Sequence, residues 1–323
     1  MTRATWLTTV TAAALLPLLA QAASEQQFPS EQGQLTVNTV ADGLRNPWAL
    51  AFLPGGKDML VTERPGNLRL VNAEGKVGPP ISGVPKVWAE GQGGLLDVVL
   101  SPAFGKDRTV YLSYAEAGDD GKAGTAVGRG QLSEDRARLE NFTVIFRQQP
   151  KLSVGNHFGS RLVFDRDGYL FITLGENNVR ETAQDLDKLQ GKVVRIYPDG
   201  QVPKDNPFVG QAGVRPQIWS YGQRNPQGAA LNPWSGELWE NEHGPKGGDE
   251  LNLLQPDPQF ERQVCCGGFD RIDCNIGQHH TGDALWMRGG VGRGGRRRVT
   301  RRGTNDRFRS RFHRLRNGHR HAA

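Results

Sequence analysis

The chain has 323 residues, with 40 Lys+Arg against 34 Asp+Glu and a formal net charge of +6. The charge is uneven: residues 257–323 hold 15 Arg, no Lys and 6 Asp+Glu, a net of +9, while residues 1–256 carry −3. The basic balance is therefore no argument for a nucleic-acid partner of the body, and with all three Cys at 265, 266 and 274 a disulfide framework there is excluded.

Residues 1–22 read as a secretory signal. Met1-Thr2-Arg3 gives a positive start, an apolar run extends from Val10 to Leu19, and Ala20-Gln21-Ala22 places small residues before a cleavage point. The run is too short to span a bilayer stably. Polar Ser24-Glu25-Gln26-Gln27 directly after it argues against the alternative, an anchor helix. No later stretch is apolar enough to cross a membrane, so the mature chain is expected to be exported without a span.

A strand–turn–strand pattern then recurs. Trp48–Leu53 turns at Pro54-Gly55-Gly56 into Met59–Glu63; Leu95–Leu100 turns at Ser101-Pro102 into Val110–Tyr114. Arg161–Phe164 turns at Asp165-Arg166-Asp167-Gly168 into Tyr169–Leu174, and Gly228–Leu231 turns at Asn232–Gly236 into Glu237–Glu240. Turn chemistry and apolar, β-branched or aromatic flanks make these hairpins. Further strands are expected at 68–71 and 193–197, and a helical turn or two at 181–189. Repetition of one hairpin type predicts an all-β chain with the blades of a β-propeller. A β-sandwich is the alternative, and it leaves the regular recurrence unexplained.

Polar groups on glycine- or proline-rich turns mark the candidate site. Gln92 lies in a glycine turn entering a strand, where ordinary turn chemistry is the plain reading. His157 sits between Gly155 and Gly159, which let backbone approach a ligand closely; it can take a proton from an alcohol or simply bond a loop carbonyl. Arg224-Asn225 can hold a planar anion or form a salt bridge within a blade. Gly244-Pro245 can expose carbonyls and Asp249 and Glu250 supply carboxylates, a set suited to calcium or to a solvated acidic turn.

Past Pro256 the composition changes. Only eleven of the 67 residues in 257–323 are Leu, Ile, Val or Phe, too few for a core. Out-of-frame translation, a natural basic extension and a small metal module all fit. The metal reading, on Cys265, Cys266, Cys274, His279 and His280, lacks zinc-finger spacing. Gly290–Gly295 matches a dinucleotide fingerprint by letter but has no strand before it or helix after it.

Five segments in order carry a family resemblance: Asn46-Pro47-Trp48-Ala49-Leu50, Gly91-Gln92-Gly93-Gly94-Leu95-Leu96, Asn156-His157-Phe158-Gly159-Ser160-Arg161-Leu162, Gly222-Gln223-Arg224-Asn225-Pro226-Gln227-Gly228 and Glu242-His243-Gly244-Pro245. Over about 34–255 the chain resembles the soluble periplasmic aldose sugar dehydrogenases that use pyrroloquinoline quinone, within the glucose/sorbosone dehydrogenase group. The resemblance implies a six-bladed propeller, of which about four blades fall in 34–256, the rest of the chain being a basic, poorly packed tail. It implies oxidation of an aldose at its anomeric carbon with hydride passing to the quinone, and a further electron acceptor that it does not identify. His157 matches the general base, Arg224 and Asn225 match cofactor contacts, Gln92 matches a contact to cofactor or sugar, Gly244 and Pro245 match carbonyls around a calcium ion, and Glu250 matches a second, structural calcium position. Nothing matches after Pro256, and Phe260 stands near a family Tyr. Activity of the chain as written is therefore expected to be weak or absent, and a non-enzymatic envelope propeller binding carbohydrate or protein is the alternative.

Overall fold

The computed structural model describes residues 26–153, 155–245 and 248–256, with the backbone of a two-residue strand at Leu285–Trp286. The expected signal, 1–22, and all of 257–323 except that strand lie outside the described residues.

Four antiparallel four-stranded sheets follow one another along the chain, after a hairpin of β1 (Gln26–Ser30) and β2 (Gly33–Val37). The first is β3 (Pro47–Phe52), β4 (Met59–Glu63), β5 (Asn67–Val71) and β6 (Val77–Pro80). The second is β7 (Leu95–Leu100), β8 (Thr109–Ala117), β9 (Ala123–Leu132) and β10 (Leu139–Arg147). The third is β11 (Leu162–Phe164), β12 (Leu170–Leu174), β13 (Lys192–Ile196) and β14 (Ile218–Tyr221). The fourth is β15 (Pro226–Leu231), β16 (Leu238–Glu242), β17 (Glu250–Leu253) and β18 (Leu285–Trp286). In every sheet the strands pair in sequence order, so each is a meander, and together they form the four-blade propeller arrangement expected from the repeated hairpins. The last strand of the fourth blade comes from 285–286, inside the segment that composition had set apart from the body.

Middle strands explain why the hydrophobic pattern is continuous rather than alternating. β4, β12 and β13 are buried along their whole length, because both faces of a blade pack on neighbours. Leu60, Leu68, Leu95, Val110 and Leu112 fill the seam between the first two blades. Tyr111, Val127, Leu170, Ile172 and Ile196 fill the next, and Phe171, Val193 and Leu238 the third.

A hydroxyl crosses each of these seams at the same place. Thr62 Oγ1 donates to Leu96 O at 2.6 Å, Ser113 Oγ to Ser160 O at 2.6 Å and Thr173 Oγ1 to Pro226 O at 2.7 Å. The same three oxygens accept the amides of Ala49, Asp97 and Arg161 from the first-strand side of their own blades. Asp97 and Arg161 add a tie among all four blades. Arg161 Nη1 donates to Asp97 at 2.7 Å, Arg161 Nε donates to Gln227 O at 3.0 Å, and the guanidinium lies 4.4 Å over the Trp48 ring. Burial pushes the Asp97 carboxyl up, opposed by Arg161 and by the amides of Leu162 and Val98.

The helical turn or two expected at 181–189 is a single 3₁₀ turn, Arg180–Ala183. Its last carbonyls, Thr182 O and Ala183 O, accept hydrogen bonds from the Lys192 side chain, which closes off continuation. Among the described residues no helix is long and apolar enough to cross a membrane.

Lys192 is wholly buried, and burial pulls its ammonium down to about 7. The unfolded chain keeps the ordinary value, 10.5. Between those values the unfolded state binds a proton that the folded state lacks, so this group makes stability rise with pH across the window. The urea midpoint of the parent chain is expected to gain on that of Lys192→Met between about pH 7 and 9; parallel pH dependences would contradict the assignment.

Candidate functional site

In an antiparallel blade the connection from strand two to strand three leaves from the same end as the connection on to the next blade. Gln92, His157 and Arg224-Asn225 lie on blade-to-blade connections, and Gly244-Pro245 lies between β16 and β17. Topology therefore places them all at one end, and the hydrogen bonds join them. The predicted hairpin turns at Pro54, Ser101, Asp165 and Asn232 occupy the other end.

His157 is the centre. It is 7% exposed, and its Nδ1 lies 2.7 and 2.9 Å from the two carboxylate oxygens of Glu176, a residue with no exposure. A carboxylate only accepts, so Nδ1 carries the proton and Nε2 of the neutral ring is the basic nitrogen. Among the described residues Nε2 has no hydrogen-bond partner. The backbone here is drawn tight: His157 has φ +52°, and Asn177 and Asn178, beside Glu176, have φ +53° and +62°. Gly175 is required, since a Cβ there would sit 1.8 Å from the His157 carbonyl oxygen. Asn177 closes the same contact, donating its amide and Nδ2 to His157 O.

Gln92 reaches His157 from the neighbouring connection. Its Oε1 accepts the His157 amide at 2.9 Å, and its own amide donates to Gly155 O at 2.8 Å. The side chain thus sets the His157 backbone. Arg64, between β4 and β5, holds this turn by donating from Nη2 to Gly91 O at 2.8 Å. Arg64 Nε is buried and without a partner among the described residues.

Arg224 and Asn225 are braced from below by Glu242, whose Oε2 accepts both backbone amides. Arg224 Nη1 donates to His243 O at 2.7 Å, and Arg224 O accepts the Glu176 amide at 3.0 Å. Asn225 is nearly buried and its Oδ1 accepts the Gly159 amide at 3.1 Å, so it fastens the His157 connection. The first blade repeats the device: Arg45-Asn46-Pro47 copies Arg224-Asn225-Pro226, and Glu63 Oε1 accepts the Arg45 amide at 2.7 Å.

Between β16 and β17, Asp249 Oδ1 accepts the Gly244 amide at 2.8 Å. Glu250 stands on β17, across the ladder from Glu242, rather than in that loop with Gly244 and Pro245. Among the described residues no three His, Cys, Asp or Glu side chains converge as a metal cluster. The oxygen donors here are main-chain carbonyls and carboxylates, the chemistry that calcium takes.

Three members of the site went unmarked in the sequence: Glu176, Glu242 as a brace, and Arg64. Their only signal is local. Each is a charged residue at the end of a blade's second strand or within two residues of it, at Leu174-Gly175-Glu176, Trp239–Glu242 and Val61–Arg64.

Comparison with known proteins completes the description. Residues 44–261 match the family model described as Glucose / Sorbosone dehydrogenase. The chain is 58% identical over 256 residues to aldose sugar dehydrogenase YliI of Escherichia coli K12, covering 79% of this chain and 68% of that one. The crystal structure of the soluble aldose sugar dehydrogenase from Escherichia coli in its apo-form superposes with a TM-score of 0.66 at 63% identity, over 67% of this chain and 62% of that one. The PQQ-bound aldose sugar dehydrogenase from Streptomyces coelicolor superposes with a TM-score of 0.62 at 32% identity, over 77% and 71%. The chain spans about two thirds of the length of these relatives.

Proposed function

The chain belongs to the glucose/sorbosone dehydrogenase family, and on that premise we propose that it oxidises aldose sugars at the anomeric carbon with hydride passing to pyrroloquinoline quinone. One observation carries the reading: Glu176 holds the proton on His157 Nδ1, which leaves Nε2 as a base at the end of the blades where the other polar connections meet.

In this reading Nε2 takes the proton of the anomeric hydroxyl, and Glu176 stabilises the imidazolium that results. Gln92 and Asn225 keep the base in place through the His157 and Gly159 amides. Bound quinone supplies the two-electron acceptor. Its carboxylates and oxygens suit the end of the blades that carries the Arg224 fork and the unpartnered Arg64 Nε. Arg224 is placed to stabilise negative charge on a quinone oxygen. Gly244 and Pro245 would hold a calcium ion through their carbonyls, giving Lewis-acid polarisation, and Glu250 would serve a second, structural one. An aldose is the substrate, and a separate acceptor must reoxidise the quinone. We assign the same chain a cleavable signal at 1–22, a periplasmic location, the propeller at 34–256, and a basic tail at 257–323 from which only β18 joins the fourth blade.

The test is reconstitution. Purified chain, loaded with quinone and calcium, should bind quinone by tryptophan quenching and reduce a dye with glucose, at a weak rate. Arg224→Ala should weaken quinone binding by about tenfold or more, the scale of a lost charged hydrogen bond. Neither binding nor turnover would sink the reading and favour a non-enzymatic propeller that binds carbohydrate or protein.

A further inference from the structure

Lys192 has no part in the chemistry above, yet among the described residues it is the only lysine that ranks with the largest wholly buried side chains. It opens β13, opposite Leu174 on β12 and Tyr221 on β14. No carboxylate accepts from it. Its Nζ donates to three backbone carbonyls: Thr182 O at 2.9 Å, Ala183 O at 2.9 Å and Gln190 O at 2.7 Å. An ammonium has three donors and no acceptor, so these oxygens saturate it. All three belong to the 175–191 connection, which carries Glu176.

From that cage a run of hydrogen bonds leads to the base. Thr182 donates to Val179 O through its amide and, at 2.6 Å, its hydroxyl. The Val179 amide donates to Glu176 O at 3.0 Å, and the Glu176 carboxylate holds His157 Nδ1. We propose that Lys192 is a positioning residue for the His157–Glu176 pair, its ammonium serving as an internal cation that locks the 175–191 connection through three carbonyls. One buried charge thus ties the middle of the segment, at 182–183, to its far end at 190. The charged groups around it are Asp185, Asp187 and Lys188 of the same connection, with Tyr221 facing from β14. Asp185 is itself paired with Lys188 at 2.6 Å, so the carbonyls are the direct partners of Nζ.

The inference rests on His157 as the base only for its consequence in turnover; its test reads the full chain without cofactor. At pH 6 the Nδ1 proton of His157 should give a low-field NMR signal through its bond to Glu176. In Lys192→Ala that signal should vanish, and amide protection across 177–190 should fall about tenfold or more, as for a lost charge-assisted hydrogen bond, while β7–β9 amides stay protected. Added n-propylammonium, which replaces the atoms removed, should restore both; n-propanol should restore neither. Persistence of the low-field signal in Lys192→Ala, or equal rescue by the alcohol, would overturn the proposal. Should the variant not fold, 15N-lysine labelling of the parent chain decides. The Lys192 ammonium protons should exchange as slowly as the 177–190 amides, and exchange as fast as that of surface lysines refutes the lock.

Discussion

His157→Ala is expected to lower quinone-dependent aldose oxidation by about 10²–10⁴-fold relative to the parent chain, the range for losing a positioned general base. The loss should fall on kcat and on kcat/KM together, with quinone binding retained, because in the proposed mechanism the ring takes the substrate proton while Arg224 carries the cofactor contact. Glu176→Gln should keep an acceptor opposite Nδ1 but remove the charge that supports the imidazolium. It is therefore expected to lose less than His157→Ala and to show a lowered apparent pKa in its rate profile. A His157→Ala chain within about tenfold of its parent would show that another group takes the proton.

Arg161→Met should be the most damaging single change to the fold. It strands the Asp97 carboxylate, which is 2% exposed, with only the Leu162 and Val98 amides for partners. Breaking a buried pair from one side costs about 3–5 kcal/mol, a large share of the roughly 5–15 kcal/mol by which domains are stable. The guanidinium also stacks on Trp48 and bonds Gln227 O, so blades one and four loosen as well. Urea unfolding should show the loss, and Asp97→Asn in the Arg161→Met background should recover part of it by removing the unpaired charge. A loss below about 1 kcal/mol, the scale of an exposed pair, would mean that the pair is better hydrated than its burial indicates.

The hairpins were legible because their turns are chemically distinct and their strands are continuous apolar runs. Pro54-Gly55-Gly56, Asp165–Gly168 and Asn232–Gly236 each join the strands expected of them, with ends shifted by a residue or two. β9 and β10 were not marked: Ala123–Leu132 holds three glycines and Leu139–Arg147 mixes charge with apolar residues, so neither shows a clean period. β1 and β2 were missed for a similar reason, being exposed throughout. Of the site, Gln92, His157, Arg224 and Asn225 were found from their glycine and proline surroundings, and they do meet at one end of the blades. Glu176 was not, because it reaches His157 only after β12 has paired with β11, 19 residues from its partner. No spacing rule encodes that contact. Asn225 illustrates the converse: its residue type suggests a ligand contact, and the structure adds a bond that no motif announces, its Oδ1 tying two connections of the protein together.

The hydroxyls of Thr62, Ser113 and Thr173 give the ring a direction. Each accepts a hydrogen bond from its own blade's first-strand side and donates one forward to the following blade, none of the three donating to the preceding blade. A blade's free energy is therefore partly held by its predecessor, and through these hydroxyls coupling runs between nearest neighbours as in a linear array, with the Arg161–Trp48 stack as the contact that skips a blade. Loss of order should spread as a front, one seam at a time, rather than dissolve all blades at once. Damage at one seam has an address: the connection just downstream, which for Ser113 and Thr173 means the segments that carry His157 and Arg224.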